Sequence, residues 1–129
     1  MTKRVYEIDG SKSSTLEEFA DHFTEQLNLQ TNWHGNLDAF NDILRGGFGT
    51  PDDGFVLIWK NSEVSRDRLG YPQTINWLED RVLKCHPSNV EHFRERIALA
   101  KQREGATLFD TLVEIITLPE HSDVELRLE

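Results

Sequence analysis

The chain has 129 residues, 14 Lys and Arg against 23 Asp and Glu, and a formal charge of −9. That length supports one hydrophobic core without metal or disulfides, and the acidic balance tells against direct nucleic-acid binding, which needs a basic surface for its phosphate contacts. No apolar run reaches the roughly 18 residues of a membrane span, the first residues lack a signal-peptide pattern, and the single Cys85 cannot close an internal disulfide, so the expectation is a cytosolic protein forming one domain over residues 1–129.

Residues 3–8, with Val5 and Tyr6, read as a first strand ended by Asp9-Gly10. Ser14 and Glu17 have capping-box spacing. Leu16, Phe19, Ala20, Phe23 and Leu27 recur on one helical face, which predicts a helix over 15–27 with His22 on its solvated side. Residues 28–35 are a loop carrying Trp33 and His34, and a large aromatic in a polar loop is either a core anchor or part of a binding surface.

Asn36 follows Gly35 and is suited to cap a short helix over 37–45, which Gly46 or Gly47 would end. Steps of 100° place Leu37, Phe40, Ile43 and Leu44 on one face and Asp38, Asn41, Asp42 and Arg45 on the other. Asp38 suits the positive end of the helix dipole. Asp42 does not: it adds a like charge four residues on, at a cost of about 0.2–0.5 kcal/mol in an isolated helix. Either Arg45 offsets it, leaving an ordinary solvated face, or the pair is kept for a cationic partner.

The run 46–49, Gly-Gly-Phe-Gly, lacks the spacing and the lysine of a phosphate loop and reads as a helix stop. Residues 55–59 form a continuous apolar run that fits a central strand of a parallel sheet. Further helices are predicted over 62–69, over 73–85 with Ile75, Leu78, Val82 and Leu83 inward, and from a Ser88–Glu91 capping box to about 103 with Phe93, Ile97 and Ala100 inward. Cys85 adjoins His86, but adjacency in sequence does not arrange a catalytic pair, and a semi-buried thiol is expected. Helical spacing in 107–118 decides for a last helix, and alternation in 124–128 for a last strand with one wet face. Three strands separated by helical connections give an α/β fold, a small three-stranded parallel sheet packed against several helices.

The run Trp-His-Gly-Asn-Leu-Asp-Ala-Phe-Asn-Asp-Ile-Leu over 33–44 resembles the signature of the barstar family, intracellular inhibitors of barnase-type microbial ribonucleases. The resemblance implies a barstar-like domain whose segment at about 61–105 is enlarged. By position, Asp38 and Asp42 match the family's inhibitory acids, Asn36 its helix-start asparagine, Trp33 a contact aromatic, and Gly46 a glycine at the contact surface. His34 and Asn41 complete the expected partner-binding set. Asn41 and Gly47 stand where the best-known member carries tryptophans. The implied function is inhibition of a basic, secreted ribonuclease by plugging its cationic active site, with no catalysis, no cofactor and a monomer when free. Two alternatives stand beside it: an immunity or interaction protein for a basic partner that is not a ribonuclease, and a metal-dependent hydrolase built on the i, i+4 series His34, Asp38 and Asp42.

Overall fold

A computed structural model describes residues 3–129. Strands β1 (Arg4–Asp9), β2 (Phe55–Lys60) and β3 (Val124–Leu128) form one parallel sheet in the order β1-β2-β3. Tyr6, Leu57 and Leu126 stand side by side across it. The apolar run of β2 lies in the centre, where four of its first five residues are buried, while β3 grows more exposed toward Leu128. Among the described residues the α-helices are α1 (Leu16–Leu27), α2 (Leu37–Arg45), α3 (Ser62–Arg68), α4 (Tyr71–Lys84), α5 (Val90–Lys101) and α6 (Leu108–Ile116). This is the expected α/β architecture.

The apolar face of α1 is buried as its spacing predicts, with Leu16, Phe19, Ala20, Phe23 and Leu27 in the core. Its cap lies one residue later than expected. Thr15 accepts the Glu18 N–H at 3.1 Å, and the Glu18 carboxylate accepts the Ser14 N–H at 2.7 Å, because Thr15 is the last residue with extended backbone. Helix α6 forms a capping box between Thr107 and Asp110 and buries Leu108, Phe109, Leu112 and Ile116. Aromatic rings run through the core from α1 to β2 to α6: Phe19 lies 5.0 Å from Trp59, and Trp59 5.0 Å from Phe109 between ring centroids.

Helices α4 and α5 are an appended hairpin. The Phe109 N–H donates to the carbonyl of Leu69 at 3.3 Å, and the Leu108 N–H to the Thr74 hydroxyl at 2.9 Å. The chain therefore leaves after α3 and returns to the same place at the start of α6. Leu69 belongs to the main core and Ser65 accepts the Trp59 indole N–H at 3.0 Å, so α3 is part of the central fold. The hairpin buries Thr74, Leu78 and Ala100. Leu83 was expected inward but is 85% exposed, because α4 has only a narrow face to cover. The Ser88–Glu91 box does not form; the Ser88 hydroxyl and N–H both meet His86 Nδ1, at 2.8 and 3.1 Å, and Pro87–Asn89 is a 3-10 turn. That contact also engages the ring next to Cys85, whose thiol is half-buried against the Val82 carbonyl.

His22 is not a solvated residue. Its Nε2 accepts the Asp9 N–H at 2.9 Å, tying the end of β1 to α1, and burial holds the ring below its ordinary 6.5. Because the folded value is the lower one, this contribution is complete above the unfolded value and is lost as pH falls through the folded one. Thermal melts should therefore show stability falling as pH drops below about 6.5. In His22→Gln, which keeps an acceptor without a titrating ring, that fall should be smaller.

Candidate functional site

Helix α2 is fixed at both ends. Before it, the Asn32 amide donates to Asp21 Oδ1 at 2.7 Å, the His34 N–H donates to Asn32 Oδ1 at 2.8 Å, and the Asn36 N–H donates to the Trp33 carbonyl at 2.8 Å. Asn36 Oδ1 then accepts the Ala39 N–H at 3.1 Å, the cap that its position predicts. After it, Gly46 and Gly47 have φ of 109° and 89°, which side chains rarely adopt, and a Cβ at either would meet nothing within 4 Å. The Gln30 N–H donates to the Phe48 carbonyl at 2.9 Å and joins the two flanking loops.

The inner face is Phe40, Ile43 and Leu44, all buried, with Leu37 packed beside them. The outer face presents Asp38 and Asp42 to solvent, the Asp42 side chain 62% exposed. Arg45 favours Glu120 over Asp42. Its guanidinium donates to Glu120 Oε2 at 2.7 Å, against 3.8 Å to Asp42, and this hydrogen bond holds the Glu120 carboxyl below its usual range. Two carboxylates, Asp42 and Glu120, thus share one guanidinium, and with Asp38 they form a surface suited to accepting charge-assisted hydrogen bonds from cations.

The expected contact residues divide. Asp38, Asp42, His34 and Asn36 are exposed, and Gly46 is half-exposed. Trp33 is a correction: at 2% exposure it is not on the surface but in the core, 4.4 Å from the Phe40 ring and flanked edge-on by Phe19 and Phe23. Burying an indole among three phenyl rings stabilises far more than presenting it to water. Asn41 has a structural partner of its own. It is half-buried, and its Oδ1 is 2.6 Å from Nε2 of the buried His121, which therefore donates to it. The amide anchors the turn before β3 under α2. His34, with φ of 50°, precedes the cap, so the series His34, Asp38, Asp42 does not run along one helix.

Sequence spacing gave no hint of Glu120 or His121, which arrive from the far end of the chain. Phe48, 37% exposed in the glycine-rich loop after α2, carried a readable signal as an apolar side chain in a turn. A cavity of about 250 Å³ also opens beside Asp38, between Asn36 and Leu37 at the start of α2 and Trp77, Arg81, Phe93 and Arg96 of the hairpin.

The family model described as Barstar (barnase inhibitor) matches residues 3–93, from β1 into α5 and across the whole of α2. The chain belongs to the barstar family. No curated protein matches it. No helix among the described residues is long and apolar enough to cross a membrane. In this barstar-family chain the buried and exposed residues of the α2 region should separate in chemical denaturation. Trp33→Ala should cost about 3–5 kcal/mol, whereas Asp42→Ala should stay within about 0.5 kcal/mol of the parent.

Proposed function

We propose that this protein is a non-catalytic inhibitor of a barnase-type ribonuclease, and that residues 1–129 act as one barstar-like unit held inside the cell that makes the enzyme. An RNA-cleaving site must gather cations around the scissile phosphate. The exposed face of α2 would enter that cleft, with the Asp38 and Asp42 carboxylates in the place of phosphate oxygens. The observation that carries this reading is Asp42: exposed, opposite the core face of a rigid helix, and left largely without its intrahelical counter-ion because Arg45 is drawn to Glu120. His34, Asn36 and Gly46 would border the contact, Gly46 by letting partner backbone approach. Net acidity would speed the encounter with a basic enzyme at low salt.

A second reading, a basic partner that is not a ribonuclease, is favoured by one feature. Asn41 and Gly47 offer no aromatic side chain to an enzyme surface, and the Asn41 amide is taken up by His121. Phe48, one residue past Gly47, supplies an exposed ring nearby and would serve either partner.

Titration of purified barnase with the protein, followed by RNA cleavage, tests the first reading. Stoichiometric inhibition is expected. Asp42→Ala should weaken it by about 30-fold or more, the level of an interface hot spot. Phe48→Ala should weaken it by a smaller factor, and added salt should slow association. A folded protein that leaves cleavage unchanged would shift the assignment to the second reading.

A further inference from the structure

The cleft beside Asp38 has an unusual charge arrangement. Trp77 and Arg81 come from α4, Phe93 and Arg96 from α5, and the guanidinium groups of Arg81 and Arg96 stand 5.6 and 5.9 Å from the centre of the Trp77 ring. Arg96 also lies 6.0 Å from the Phe93 ring. Among the described residues neither arginine forms an ion pair, and the Arg81 Nε is buried without a hydrogen-bond partner. Four other cations of this acidic chain do find carboxylates, Arg45 at Glu120, Lys60 at Glu129, Lys84 at Asp80 and Arg127 at Glu125, but what sets Arg81 and Arg96 apart is that both are half-buried and share one ring. Half-buried arginines without a counter-ion cost desolvation that stacking on an aromatic ring offsets only in part. Burial accordingly lowers the pKa of Arg96.

The cleft is continuous with the exposed face of α2, since Asn36 and Asp38 form its opposite wall. We propose that the α4–α5 hairpin forms the second half of the docking surface and that its cleft receives an Asp or Glu side chain of the partner protein. The carboxylate would lie against the guanidinium groups of Arg81 and Arg96 while Asp38, across the cleft, takes a neighbouring cation. This rests on the reading of α2 as the face that meets the partner, and it adds a requirement: the partner's cationic patch carries an acid at its edge. Planar, two-pronged guanidinium donors suit a carboxylate, and the ring beneath holds them in place.

The test does not need the natural partner. The tetrapeptide acetyl-Asp-Asp-Asp-Asp-amide is titrated into the labelled full-length protein while NMR follows the side-chain Nε–H signals of the arginines and the indole N–H of Trp77. Saturable shifts confined to Arg81, Arg96 and Trp77 are expected, with none from the all-Asn peptide. Arg81→Gln combined with Arg96→Gln should weaken peptide binding at least tenfold, whereas Asp42→Ala should leave the titration unchanged. Since Asp42→Ala is the variant that tests inhibition, failure of the inhibitor reading and failure of the cleft are scored separately. No shift at tens of millimolar peptide, equal shifts with the all-Asn peptide, or shifts spread over the exposed Arg45 and Arg127 would overturn the proposal.

Discussion

The contact between Trp33 and Phe40 is the constraint on which the candidate site depends. Helix α2 has nine residues, too few to persist alone in water, so its helicity must come from what it packs against. Phe40 is clasped between Trp33 and Phe23, and the same rings reach Phe19 and, through Trp59 and Phe109, the central strand and α6. The orientation of Asp38 and Asp42 is thereby set by apolar packing beneath them. A partner that needs anions at defined positions then pays little to order them on binding.

The outer face of α2 is, by the same logic, less stable than it need be. Asp38 and Asp42 are like charges one turn apart, and Arg45, the cation placed to relieve them, is held by Glu120. Two residues from the last 3-10 turn produce this arrangement together. Buried His121 docks on Asn41, and Glu120 next to it reaches Arg45. The C-terminal segment thus fastens α2 from below and draws off Arg45, the cation of its own last turn, which leaves Asp42 facing water.

Much of this was legible in the residues. Periodicity gave α1, α2 and α6 to within two residues, the unbroken apolar run gave the central strand, and the Asn36 cap and the two exposed acids followed from spacing alone. What escaped reading depended on residues far apart in the chain. Spacing puts His22 on the solvated side because nothing in α1 reveals that the Asp9 N–H ends a strand against it. Asn41 looked like a surface polar residue because its partner lies 80 positions away. Trp33 admitted two readings, and three phenyl rings from two helices decide for the core.

The α4–α5 hairpin could be recognised as helical but not located, because its position is set by one closure: Leu69 and Thr74 on one side bond Phe109 and Leu108 on the other. With that closure made, the sheet and main core need little from the hairpin, whose own buried side chains are few. Its composition is correspondingly free to answer to something else. One place where it meets the rest of the molecule is the first turn of α2, so that two arginines without carboxylate partners face the helix that carries exposed Asp38 and Asp42. An appended element that gives the main core little beyond Trp77, set against the candidate contact helix and opposite to it in charge, is better placed to extend a docking surface than to support the fold.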